Sequence, residues 1–130
     1  MTRLWQVGFA IQGLLVVLIS AGAYLGVLPT SLPAIPRVDL AGHALLFGLL
    51  AFFLDGALGY RPLWRGAAFP RLAPALVIAL AGVEEIAQRF SARRSSSLWD
   101  FAADVAGVCA LSWLSRRLDE AVRARAARAC

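Results

Sequence analysis

Seven polar side chains lie inside apolar segments of this chain or at their edges, and they are the groups best suited to chemistry. They are Asp39, His43, Glu84, Glu85, Gln88, Asp100 and Asp104. Carboxyl groups and histidine act as acids and bases, and carboxylates also bind cations. An ionisable group at the centre of a membrane helix costs about 2.5 to 3.5 kcal/mol even on mild insertion scales. Such a cluster therefore indicates a function or dedicated partners.

Three pairs within this set share a spacing of four residues: Asp39 with His43, Glu84 with Gln88, and Asp100 with Asp104. Residues four apart lie on the same face of a helix, one turn from each other. Each pair therefore presents two polar groups to one neighbouring surface, provided that the segment is helical.

Composition predicts what those segments are. The 130 residues are 60% hydrophobic and only 16% charged, with a mean hydropathy of +0.70. One small soluble core cannot bury that much apolar surface, so we expect an integral membrane protein. Crossing a hydrocarbon core takes about 20 residues, and four segments are long enough: 4–28, 39–58, 72–90 and 98–118.

The predicted fold is a single all-α domain over residues 1–130, a polytopic membrane bundle of four transmembrane helices. The first segment follows Arg3 and resembles a signal peptide, but it is longer than a secretory hydrophobic region, so we expect an uncleaved helix. Residues 119–130 form a basic tail, which is predicted to extend the fourth helix along the membrane interface.

The arginines predict the orientation of this bundle. All 13 basic residues are arginine, and nine of them fall on one side of the predicted membrane and four on the other. By the positive-inside rule the side with nine is cytoplasmic, so both termini face the cytoplasm. The seven polar side chains then collect just below the outer surface. The pI near 10.6 reflects this topology and does not indicate nucleic-acid binding.

Several of these polar residues also have purely structural interpretations. Asp39 suits the N-cap of the second helix, and Ser97 with Asp100 fits a capping box. His43 could simply donate a hydrogen bond to Asp39. Asp55 lies near the inner end of its helix, where we expect it to pair with Arg61 or Arg65.

Glu84 and Glu85 lie near the C-terminal end of their helix, where the helix dipole disfavours anions and no capping role explains them. Their structural explanation is an ion pair with a nearby arginine, namely Arg89, Arg93 or Arg94. Glycines are predicted to permit close helix contact at positions 42, 48, 56, 82 and 107.

The order and gaps of these residues resemble a family of small bacterial membrane proteins. The pattern is Asp39-x3-His43, then Glu84-Glu85-x2-Gln88-x5-Arg94-x2-Ser97-x2-Asp100-x3-Asp104-x2-Gly107. It is similar to that of the VanZ-like family, which is named for a protein linked to teicoplanin resistance. The resemblance spans about half of the chain. The family usually has asparagine where Asp104 stands, lysine where Leu40 stands and Pro-Gly where Ala92-Arg93 stand.

The resemblance implies a multi-pass protein of the bacterial cytoplasmic membrane that is linked to glycopeptide resistance. We expect such a protein to act on or shield cell-envelope lipids or lipid-linked precursors. In the enzyme interpretation, acid and base come from His43, Glu85, Asp100 and Asp104. The substrate is held by Asp39, Glu84, Gln88, Arg93, Arg94 and Ser97, with the arginines on an anionic head group. No resident metal is assigned, and cofactors and oligomeric state stay open.

Two alternatives remain from the sequence. In one, the same residues form a static ion-pair network that stabilises the bundle and presents a surface to a partner. In the other, the acids and His43 form a divalent-metal site or a proton pathway.

Overall fold

Four helices follow one another in the described part of the chain, as predicted, and the all-α class is confirmed. The computed structural model describes residues 2–27, 38–66, 71–91 and 97–129. The helices are α1 (Thr2–Leu25), α2 (Val38–Ala57), α3 (Leu72–Gln88) and α4 (Leu98–Arg128). We call the end of the bundle with the N-termini of α2 and α4 the His43 end, and the opposite end the Arg71 end.

A glycine in the left-handed region ends α1 three residues before the predicted boundary at position 28. Gly26 has φ 72°, and the backbone N–H of Val27 donates to the carbonyl of Gly22 at 2.9 Å. This is the Schellman arrangement, in which the residue after the glycine closes a six-residue ring. Pro29, the expected stop signal, lies outside the described residues.

The last helix is the longest and continues through the basic tail to Arg128, in agreement with the predicted extension. Its exposed turns carry ion pairs at helical spacing, Arg116 with Glu120 at 2.8 Å and Arg123 with Asp119 at 2.6 Å. Such exposed pairs each contribute only about 0.3 to 0.5 kcal/mol.

Among the residues that the structure describes, two helices, α1 and α2, are long and apolar enough to cross a membrane. Only 17% of the apolar stretch in α1 and 33% of that in α2 is buried inside the protein. The other two helices do not pass the same test of length and composition. α3 has 17 residues, and the apolar part of α4 contains Asp100 and Asp104.

The central helix is α2, which packs against each of the other three, with α4 as its largest partner. Their backbones approach closely because glycines face each other at the crossing. A Cβ at Gly107 would overlap the carbonyl of Ala44, and one at Gly48 would lie 2.8 Å from the carbonyl oxygen of Gly107. This crossing fixes the register of α4 on α2.

The predicted role of the other glycines is only partly confirmed. Gly56 gives space to the indole ring of Trp5, so it permits a close contact between α1 and α2. Gly82 makes only ordinary contact with Phe101, and a Cβ at Gly42 would meet nothing within 4 Å. The prediction is therefore wrong for Gly42, which lies beside open space.

At the Arg71 end, a buried ion pair joins α2 to the start of α3. Asp55 is fully buried and Arg71 is 5% exposed, and their side chains are paired. Arg71 also donates from Nη2 to the carbonyl of Ser112 in α4 at 2.8 Å. The expected partners of Asp55 were Arg61 or Arg65, and this prediction is wrong: both are exposed, whereas Arg71 points into the bundle.

Candidate functional site

Three helices deliver polar residues to the His43 end. α2 and α4 begin there and α3 ends there, so the N-terminal turns of two helices meet the C-terminal turns of a third. Eight of the ten predicted site residues lie in these turns. The other two, Arg93 and Arg94, lie outside the described residues.

One side-chain contact in this group joins α2 to α4. His43 Nδ1 lies 3.1 Å from Oδ1 of Asp104, which is 2% exposed. A carboxylate oxygen can only accept here, so Nδ1 carries a proton, and in the neutral imidazole Nε2 keeps its lone pair. The partner of His43 is therefore Asp104, and not Asp39 as one structural interpretation expected.

The imidazole borders a cleft of about 250 Å³ at this end of the bundle. Its polar wall consists of Ser20, Asp39, His43 and Glu84, while Leu46 and Phe47 are apolar wall residues. Gly42 also lines the cleft, which explains why a Cβ there meets no neighbour. An apolar cavity with a few converging polar groups is the usual form of a ligand site.

Three of the predicted site residues could hold a cation. Asp39, His43 and Asp100 each offer one ligand atom, and the three atoms lie within 4.8 Å of one another. One imidazole nitrogen and two carboxylate oxygens form a donor set that suits a divalent metal ion.

Glu85 has a neighbour on α4 that its own helix does not predict. Its buried carboxylate lies close to the backbone N–H of Ser97, the N-cap residue of α4. The Ser97 hydroxyl in turn accepts from the backbone N–H of Trp99 at 3.3 Å. A carboxylate is favoured at a helix N-terminus, so α4 compensates Glu85 for its unfavourable place on α3.

Glu84 is bound within its own helix. The Gln88 side-chain amide donates to its carboxylate, and Gln88 is 1% exposed. Glu84 thus lies on the cleft wall, and the hydrogen bond from Gln88 fixes the orientation of its carboxylate. Glu84 and Gln88 therefore lie on one face of α3, as their spacing of four residues predicted.

No protein-family model, curated protein or solved structure matches this chain. The VanZ-like resemblance therefore stays a prediction that depends on the residues and their spacing.

A second polar group, at the Arg71 end, was not singled out in the sequence. Tyr60 bonds through its hydroxyl to the carbonyl of Ser115 at 3.2 Å, and its ring lies 5.9 Å from the guanidinium of Arg71. Ser115 is fully buried and donates to the carbonyl of Phe52 at 3.1 Å. The available signal was the pair of serines at 112 and 115, one turn apart in an apolar helix.

Proposed function

We propose that this protein is a four-helix integral membrane protein that acts on cell-envelope lipids or lipid-linked precursors in the cleft at the His43 end. The observation that carries the proposal is the contact of His43 Nδ1 with Asp104, in an imidazole that borders an apolar cleft and has Nε2 left to act as the base. The VanZ-like resemblance supports a location at the cell envelope and a link to glycopeptide resistance, and we infer the lipid substrate class from that location.

Surface composition supports the membrane placement of all four helices. Large apolar side chains are more than half exposed on every helix, including Val17 at 63%, Leu45 at 57%, Val83 at 63% and Trp113 at 58%. A soluble protein rarely exposes contiguous apolar surface of this extent, whereas a hydrocarbon environment accepts it at no cost. Aromatic side chains also lie at both ends, Phe90 and Trp99 at one and Trp64 at the other, as at membrane interfaces.

His43 and Asp104, which we call the dyad, suit general acid-base chemistry on a hydroxyl or water nucleophile. Nε2 of His43 takes the proton as the nucleophile attacks an ester or phosphoester bond of the substrate. Asp104 stabilises the imidazolium that forms, and the same proton then passes to the leaving oxygen. The apolar walls hold the lipid chain, and Glu84 lies opposite as a polar contact.

A non-catalytic scaffold is the second candidate, favoured by the internal pairing of two predicted site residues. Glu85 is engaged by the N-terminus of α4, and Glu84 by Gln88. A protein that only shields lipids would keep these contacts and would need no base at His43.

Substitutions that keep the shape of a side chain but remove proton transfer distinguish the enzyme interpretation from the scaffold interpretation. In a glycopeptide-sensitive host, we expect the wild-type protein to raise the minimum inhibitory concentration of teicoplanin, and His43→Gln and Asp104→Asn to abolish this rise. Glu120→Gln, at an exposed residue of α4, is the matched control and should keep it. Membrane abundance and melting temperature are measured in parallel. Retained resistance in both site variants at normal abundance would refute catalysis.

The orientation is tested by thiol labelling in intact cells, in a background without Cys109 and Cys130. We expect single cysteines at Ser31 and Ser95 to react with an impermeant maleimide and one at Gly66 to stay unlabelled, because the nine-arginine side is cytoplasmic. Labelling at Gly66 alone would invert the topology and place the cleft in the cytoplasmic leaflet.

A further inference from the structure

An apolar groove separates α3 from α4 at the Arg71 end, on the side of the protein away from the His43 cleft. The cavity has a volume of about 620 Å³. Small residues, Ala75 and Ala79 of α3 and Ser112 of α4, lie along it, and Ile78 and Trp113 are its larger apolar walls. We call this cavity the α3–α4 groove.

Two buried donors in the wall of this groove lack partners among the described residues. The hydroxyl of Ser112, a residue 2% exposed, makes no hydrogen bond, and neither does Nε of Arg71. A buried donor left unsatisfied costs about 1 to 3 kcal/mol. A ligand that brings oxygen acceptors into the groove would remove this cost.

Charge at the mouth of the groove indicates the nature of such a ligand. Arg116 lines the groove one turn beyond Ser112 towards the tail. From Arg116 onwards, α4 carries five arginines against two carboxylates. The indole of Trp113 lies 5.3 Å from the guanidinium of Arg117, an amphipathic pair of the kind found at the level of lipid head groups.

We propose that the α3–α4 groove binds one anionic glycerophospholipid from the membrane leaflet at the Arg71 end. An acyl chain lies over Ala75 and Ala79, the ester oxygens accept from Ser112, and the phosphate lies against Arg116. This inference rests on the proposed placement of α3 and α4 in the membrane, but it is independent of catalysis at the His43 end.

The test compares phosphatidylglycerol with phosphatidylcholine, each added to the full-length protein in a neutral detergent. Native mass spectrometry counts retained lipid, and thermal unfolding gives the apparent affinity. We expect one phosphatidylglycerol per chain and a larger rise in melting temperature than with phosphatidylcholine. Arg116→Gln should weaken the affinity about fivefold, the contribution of one arginine near an anionic surface, whereas Arg128→Gln should not change it.

A second pair of variants tests the groove itself. Ala79→Leu fills it and should abolish retention of the lipid, while Ala110→Leu, on an exposed position of α4 outside the groove, should retain it. Equal stabilisation by both lipids, or equal effects of Arg116→Gln and Arg128→Gln, would overturn the proposal. So would a dimer that Ala79→Leu dissociates, since the occupant would then be a second copy. A protein found in the soluble fraction would instead refute the membrane placement.

Discussion

Arg71→Ala is expected to lower the free energy of unfolding by about 3 to 5 kcal/mol, the largest effect of any single truncation in this chain. The substitution leaves Asp55 without its partner, although that carboxylate is fully buried. It also removes the hydrogen bond to the carbonyl of Ser112. The measurement is denaturant unfolding in detergent micelles, followed by circular dichroism.

Two further variants make this test specific. Arg65→Ala removes an exposed arginine from the same connection and should change stability by less than about 0.5 kcal/mol. Asp55→Leu combined with Arg71→Met replaces the pair with apolar groups and should recover most of the loss. A strictly additive Asp55→Ala and Arg71→Ala cycle would show that the two residues are not coupled.

Gly107→Ala is expected to cost about 3 kcal/mol or more and to separate His43 from Asp104. The added methyl group would overlap the carbonyl of Ala44, and this backbone cannot rotate away as a side chain would. Overpacking usually costs about 1 to 3 kcal/mol, and a contact with backbone belongs at the upper end. Melting temperature and teicoplanin resistance should fall together, because the same crossing sets the register of the dyad.

Gly42→Ala is the matched control on the neighbouring helix. A Cβ at this position meets nothing within 4 Å, so only helix propensity changes, which favours alanine by about 1 kcal/mol. We expect equal or greater stability. Destabilisation by Gly42→Ala similar to that of Gly107→Ala would show that glycine flexibility, and not the helix crossing, explains the result.

The four helices were predictable because each forms one long apolar run, and the tail because alanine and arginine favour helix. The clustering of polar groups at the His43 end was also predictable. Successive helices run in opposite directions, and the polar groups lie at the start of α2, the end of α3 and the start of α4. The predicted end of α1 is wrong by three residues, because the prolines of the next segment, and not Gly26, served as its stop signal.

The partners within the site could not be read from spacing. Helical periodicity places His43 beside Asp39, but the contact with Asp104 depends on the register between α2 and α4, which Gly48 and Gly107 set. Glu85 was misjudged for the same reason: the dipole of its own helix is visible in the sequence, and the N-terminus of α4 beside it is not. Arg71 was overlooked because the sequence does not distinguish three arginines that lie in the same connection between two helices. They become distinct only in the folded connection, where the backbone N–H of Leu72 bonds to the carbonyl of Arg61.

In the proposed membrane placement, the short length of α3 would affect the bilayer around the protein. Its 17 residues span about 25 Å, which is about 5 Å less than an average hydrocarbon core. Such hydrophobic mismatch is relieved by local thinning of the membrane, at a fraction of a kcal/mol per Å. Head groups next to α3 would then be drawn inward towards Glu84. The protein would accordingly concentrate in thinner membrane regions, where envelope lipids reach the depth of the His43 cleft with the least distortion.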